Sequence, residues 1–230
     1  MNSEHPEYNR DTNPYPSFGK KYNSERGIIS LTSWKARINT VSKTLFSLIK
    51  QCPGFHIVLV LSEEEFPKMM YELPDNLKLF VDNELIEVLW VFRNYKSFKK
   101  VLFTMDKYRD VPVISADDDC NYVKNYAEEL YKTHLKFPND CIAYRKSKIP
   151  FCLCGPATLY PPSLYETFIK KFKNHKITNF QDDGFFANVL KELNKKPIAL
   201  HDKFPCNFHD EIKPLTGSMN YPEWISSQSF

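Results

Sequence analysis

Val111-Pro-Val-Ile-Ser-Ala-Asp-Asp-Asp119 is a short apolar run that ends abruptly in three consecutive carboxylates. The apolar part reads as a buried strand. The segments around it read as helices. Phe98, Val101, Leu102, Met105 and Tyr108 form a helical stripe before it, and Val123, Tyr126, Leu130 and His134 continue helically after it. Further out, Gly27-Ile-Ile-Ser-Leu-Thr-Ser-Trp34 and His56-Ile-Val-Leu-Val-Leu61 are two more buried strands. Between them Val41, Leu45, Leu48 and Ile49 share one helix face, which Pro53-Gly54 ends.

Leu77 to Val81 and Glu87 to Phe92 read as a further pair of strands, Cys141 to Tyr144 as another, and Phe151 to Tyr160 as strand plus loop, broken by Pro161-Pro162. A helix is expected from about Asp183 to Leu193 and a last strand at Pro197 to Leu200; the tail to Phe230 has little pattern. Strands alternating with helices predict an α/β fold with a mainly parallel central sheet. Residues 27–230 are expected to form one domain, preceded by an extended arm over residues 1–26 that has no periodicity.

The composition narrows the function. The chain has 230 residues, enough for a single domain with a sizeable core. The net charge of +3 is too small for the basic stripe of a nucleic-acid binder. Aromatic residues make up 15%, which predicts a dense aromatic core with a share left for stacking against sugars or bases. No apolar run approaches the ~18 residues of a membrane span, and the polar start lacks the apolar stretch of a signal peptide. The expected compartment is the cytosol, with the six cysteines reduced. Cys152, Cys154, Cys206 and His209 lack the paired knuckle spacing of a structural zinc site.

Three carboxylates in a row at a strand end repel unless water or a cation neutralises them. In an extended segment Asp117 and Asp119 project to one side and Asp118 to the other. Two same-side carboxylates offer hard oxygen ligands to Mn2+ or Mg2+; a solvated loop that caps the next helix explains them as well. Phe180-Gln-Asp-Asp-Gly-Phe-Phe186 places Asp182 and Asp183 at a helix start. The macrodipole favours acids there, and a carboxylate base is the functional alternative. Thr32-Ser33-Trp34-Lys35-Ala36-Arg37 combines hydroxyls, a ring and cations at a strand end, where open α/β sheets bind ligands. Lys99 and Lys100 read either as phosphate ligands or as a solvated helix face. Gly155 permits close backbone approach, and His201 is a candidate third metal ligand.

Taken in order, these segments resemble a bacterial glycosyltransferase family of lipopolysaccharide and capsular polysaccharide assembly. The resemblance rests on Thr32-Ser-Trp-Lys-Ala-Arg-Ile38, Leu61-Ser-Glu-Glu-Glu-Phe-Pro67 with Leu73-Pro74, and Tyr95-Lys-Ser-Phe-Lys-Lys100. It continues through Ala116-Asp-Asp-Asp119, Gly155-Pro-Ala-Thr-Leu-Tyr-Pro-Pro162 and Asp182-Asp183, and covers roughly Gly27 to Leu200. It implies a single GT-A (Rossmann-like) nucleotide-sugar-binding domain.

In that resemblance Asp117 and Asp119 match the metal-binding D-x-D motif, Asp183 the catalytic base with Asp182 its neighbour, and Gly155 the glycine loop near the donor sugar. His201 matches the C-terminal metal-binding histidine, with His209 its competitor. Thr32, Ser33, Trp34, Arg37, Lys99, Lys100, Asp117, Asp118 and Gly155 make the expected donor-binding set. Cys154-Gly-Pro-Ala157 is poorer in glycine than the family, and Gly184-Phe-Phe186 stands where the family has a bulkier Ile-Trp pair.

The implied activity is metal-dependent transfer of a sugar from a UDP-sugar or similar donor to a glycan or lipid-linked acceptor. Peripheral association with the inner face of a membrane is compatible with such an acceptor. A Mg2+-dependent phosphoryl or nucleotidyl transferase, or an inactive carbohydrate-binding scaffold, is the alternative.

Overall fold

The computed structural model describes residues 15–24, 26–147, 151–175 and 182–209. In chain order the first half holds β1 (Ser17–Gly19), β2 (Ile28–Thr32), α1 (Val41–Gln51), β3 (His56–Ser62), α2 (Asp75–Asp82), β4 (Glu87–Val91), α3 (Lys99–Lys107) and β5 (Val113–Ser115). The second half holds β6 (Cys120–Tyr122), α4 (Tyr126–Lys136), β7 (Ile142–Arg145), β8 (Thr158–Tyr160), α5 (Tyr165–Phe172), α6 (Asp182–Glu192), β9 (Ile198–His201) and β10 (Cys206–Phe208).

Eight strands form one sheet in the order β1-β4-β3-β2-β5-β8-β7-β9, while β6 and β10 pair apart as a small antiparallel sheet. Strands β4, β3, β2 and β5 run parallel, β7 and β9 run parallel, and β1 and β8 run antiparallel to their neighbours. β1 extends the sheet into the stretch expected as an extended arm. It lines up Ser17 with Leu89 and Gly19 with Glu87.

β3 and β4 are buried along their whole length because helices cover both faces. Side chains alternate between the two layers. Ile57, Leu59 and Leu61 face a core shared with Leu45 of α1, Leu77 of α2 and Leu130 of α4. Val58 and Val60 face a second core shared with Val101 of α3, Phe168 of α5 and Phe186 of α6. Much of the aromatic content goes here: Phe168 and Phe185 pack edge-on against Phe186 at 4.8 and 5.2 Å.

The stretch read as a strand at Leu77 to Val81 is the middle of helix α2. Leu77 and Val81, four residues apart, are buried, whereas Leu79 is exposed. The burial period is therefore that of a helix, and it opens after Pro74 with Asp75 in the first turn.

β2 leads through helices to β3 and β4 on one side, while β5 joins β2 on the other, with Ile28 level with both His56 and Val113. The order reverses between β2 and β5, and the crevice beyond the carboxyl ends of those strands is the expected ligand site of such a sheet. Thr32 to Arg37 follows β2, and the three aspartates follow β5. No helix among the described residues is long and apolar enough to cross a membrane.

Candidate active site

The triple aspartate lies between β5 and β6, with Asp118 and Asp119 in a turn, so the alternation of an extended strand is lost. Asp118 is the inward residue. Ser33 Oγ donates to one of its oxygens at 2.6 Å, and Arg37 Nη1 donates to the other at 2.7 Å. Burial is the largest influence on its carboxyl and raises its pKa; the bonds from Ser33 and Arg37 offset part of that. Arg37 also lies 3.0 Å from Asp119 Oδ2. Asp118 thereby ties the aspartate turn to the end of β2.

Asp117 turns the other way. Its Oδ1 accepts a 2.7 Å hydrogen bond from Lys100 Nζ, which is also 3.4 Å from Asp182 Oδ2 at the start of α6. The two aspartates expected on one side are thus held by different cations, Lys100 and Arg37.

Neither lysine of the Lys99-Lys100 pair is solvated; they are only 1% and 4% exposed. Lys99 turns away from the aspartates, to Glu65 at 3.2 Å and Asn94 at 2.7 Å. Burial pulls its pKa down, and Glu65 restores part of the loss. For Lys100 burial acts in the same direction, but Asp117, Asp182 and Asp183 outweigh it and hold the pKa well above the ordinary value.

Asp183 completes the cluster. A Cβ on Gly155 would come within 2.6 Å of its Oδ2 and 3.6 Å of Asp117 Oδ2, so the glycine loop lies directly on both carboxylates. Withdrawal from water is the first cause that pushes the Asp183 carboxyl up to about 8; Asp182 adds to it, Lys100 opposes it and Asp117 adds again. Asp182 Oδ2 and Asp183 Oδ1 are shut off from solvent and accept no hydrogen bond. Trp34 Nε1 is likewise a buried donor without an acceptor.

Three residues that sequence reasoning did not pick hold this geometry. Tyr122 Oη accepts the Asp117 N–H at 2.8 Å and donates to the Pro156 carbonyl at 3.0 Å, linking the aspartates to the glycine loop. Ser115 Oγ reaches the Gly155 carbonyl at 3.0 Å. Thr44 Oγ1 donates to the Asp118 carbonyl and accepts from the Cys120 N–H. Tyr122 and Ser115 flank the aspartates in sequence, which is the signal that points to them; for Thr44, on α1, no local signal exists.

The structure separates the two histidines. His201 Nε2 is 2.5 Å from Glu129 Oε2 on α4, and its ring packs on Tyr144. His209 is the one joined to the aspartate turn, through its N–H to the Asp119 carbonyl at 2.9 Å. Both of its ring nitrogens are engaged. Thr44 gives its one hydrogen to Asp118, so Nε2–H donates to Thr44 while Asn121 donates to Nδ1. No three His, Cys, Asp or Glu side chains among the described residues are gathered as a metal cage, so Asp117, Asp119 and His201 do not form one. All six cysteines are free thiols. Thr32 spends its hydroxyl on the Val60 carbonyl. An apolar groove between α1 and α2, lined by Phe46, Leu79 and Leu85, contains none of the expected site residues.

No protein-family model matches the sequence, and no curated protein is detectably similar to it. Solved structures are similar in fold. The mannosyltransferase PcManGT from Pyrobaculum calidifontis, solved in complex with GDP-Man and Mn2+, superposes with a TM-score of 0.54 at 11% identity, over 84% of this chain and 59% of that one. S. aureus TarS 1-349 gives a TM-score of 0.53 at 12% identity, over 79% of this chain and 60% of that one. The present chain therefore spans about three-fifths of the length of each. At these identities the likeness shows the fold. The mixed sheet is that of a GT-A-like domain.

Proposed function

We propose that this chain is a metal-dependent glycosyltransferase that uses a nucleotide-diphosphate sugar, of the kind that builds lipopolysaccharide or capsular polysaccharide. The observation that carries the reading is the meeting of Asp117, Asp182, Asp183, Lys100 and Gly155 at the reversal point of the sheet. The mannosyltransferase of like fold was solved with GDP-Man and Mn2+. That supports a nucleotide-sugar donor and a divalent ion here.

The residues present fit such an ion by charge and by donor chemistry. Carboxylate oxygen suits Mn2+ or Mg2+, and the aspartate turn offers two carboxylates, Asp117 beside Lys100 and Asp119 beside Arg37, with the charges of Asp182 and Asp183 close by. Asp117 and Asp119 would hold it, and His209 is better placed than His201 to support Asp119. When bound, the ion would neutralise the diphosphate leaving group.

The chain's own residues supply the rest. Ser33 and Arg37 orient the turn through Asp118, Gly155 lets its loop lie against Asp183 and Asp117 without a clash, and Asp183 takes the proton of the acceptor hydroxyl. A carboxyl raised to about 8 is a stronger base than an ordinary aspartate once ionised, and a better match to neutral pH.

A screen of UDP- and GDP-sugars with and without Mn2+ tests the reading. A matching donor should raise the melting temperature only with metal and slowly release free sugar and nucleoside diphosphate. Cleavage of the phosphoanhydride would point to a phosphoryl transferase instead. No shift and no turnover with any donor would overturn the assignment.

A further inference from the structure

Lys100 is the second residue of α3, a helix buried on nearly all sides. Its ammonium stands between two carboxylates from different elements. It hydrogen-bonds Asp117 at 2.7 Å, beyond β5, and lies 3.4 Å from Asp182, in the first turn of α6. The contact with Asp182 is one of charge, because Asp182 Oδ2 accepts no hydrogen bond. An ammonium has three donors on a flexible stem. Lys100 can therefore exchange one carboxylate for the other by a small rotation, while the rest of the side chain stays packed.

This position conflicts with a divalent ion on Asp117. Two cations on one carboxylate repel each other, most strongly where water is excluded. A ligand for the metal and a partner for Lys100 cannot both be Asp117 at full strength. Asp182, buried and with an oxygen unused, is the neighbouring acceptor.

We propose that Lys100 is a built-in counter-cation for Asp117: it holds that carboxylate in the metal-free protein and passes to Asp182 when a divalent ion takes its place. Lys100 is then a positioning residue rather than a phosphate ligand, and metal entry strengthens the link between α3 and the start of α6 through Asp182. The inference rests on Asp117 being a metal ligand.

The test measures Mn2+ affinity by calorimetry, with thermal stability alongside, for the full chain and two variants. Lys100→Met removes the competitor and should bind Mn2+ at least about tenfold more tightly. The same variant should be less stable without metal and regain stability with it. Asp182→Asn keeps the shape but takes away the second carboxylate, so Lys100 stays on Asp117 and Mn2+ should bind about tenfold more weakly. Opposite signs in the two variants are the expected result. A merely structural lysine would give equal or weaker Mn2+ binding in Lys100→Met, and that overturns the proposal alone. Should Lys100→Met fail to fold, unchanged Mn2+ affinity in Asp182→Asn overturns it. If the unmodified chain binds no Mn2+, the metal reading of Asp117 falls, and the proposal with it.

Discussion

The two ends of the sheet bury carboxylates in opposite ways. At the amino end, Glu87 of β4 accepts from His56 Nε2 at 2.6 Å, from the Tyr108 hydroxyl at 2.5 Å and from the Lys107 ammonium. Burial alone would raise its pKa, but those bonds outweigh burial and lower it. At the carboxyl end three carboxylates share Lys100, two oxygens accept nothing, and the Asp183 pKa goes up. A carboxylate surrounded by donors has no capacity left for a ligand and serves the fold. A cluster short of donors costs stability, and a protein tolerates that where binding or proton transfer needs it.

The largest expected effect separates the ends by function. Asp183→Asn should lower turnover on the order of 10²–10⁴-fold with donor affinity nearly intact. Transfer at the parent rate would show that Asp183 only starts a helix. Glu87→Ala should do the reverse: it strands His56 and Lys107, costing about 3–5 kcal/mol in urea unfolding, while donor binding in the protein that remains folded is unchanged. A Glu87→Ala protein as stable as the parent would remove the distinction between the two ends.

The pH dependence of stability sharpens the contrast, because the two shifts have opposite signs. Between the ordinary aspartate value of about 3.9 and its raised value of about 8, folded Asp183 carries a proton that the unfolded chain has lost. Its contribution is full below the lower value and disappears as pH rises through the upper one. Glu87, with its pKa lowered, contributes fully above about 4.3 and loses that as pH falls through its folded value. Urea midpoints followed across pH should show the fall between about pH 4 and about pH 8 flattened in Asp183→Asn and the acid fall flattened in Glu87→Gln. Parallel profiles in all three proteins would refute both assignments. The smallest effect is a control. Lys171 pairs with Glu192 on the exposed surface, both side chains about half exposed. Lys171→Ala should change stability by less than about 1 kcal/mol, showing that burial rather than charge makes the two ends matter.

The strands around the site were legible because they are continuous apolar runs bounded by turn residues, as in β2 and β3. Leu77 to Val81 misled because Leu77, Leu79 and Val81 alternate as a strand would, and only burial reveals that Leu79 faces out. The three-residue strands β1, β6 and β10 are too short to show any period. The three aspartates and Asp182-Asp183 stood out as charge at element ends. Lys99 and Lys100 did not, since adjacent lysines on a helix normally mean solvent. Val101, Leu102, Phe103 and Met105 leave little polar face on a nine-residue helix, so lysines in its first turn need buried partners. Which partners, and which histidine meets Asp119, depends on contacts across 17 and 90 residues of chain that no local pattern encodes.

The reversal of strand order between β2 and β5 also sets the order in which the molecule can assemble. β2 meets β3 across one helix, Ile28 beside His56, but meets β5 only after β3, β4 and three helices have been traversed, Ile28 beside Val113. Loop-closure entropy makes the nearer pairing faster. The crevice belongs entirely to the slower one, and α6 must dock later still to deliver Asp182 and Asp183. A half-built sheet of β2, β3 and β4 would already carry most of the secondary structure of its segment and yet have no place for a ligand. Recovery of ligand binding on refolding should therefore lag behind recovery of the far-ultraviolet signal.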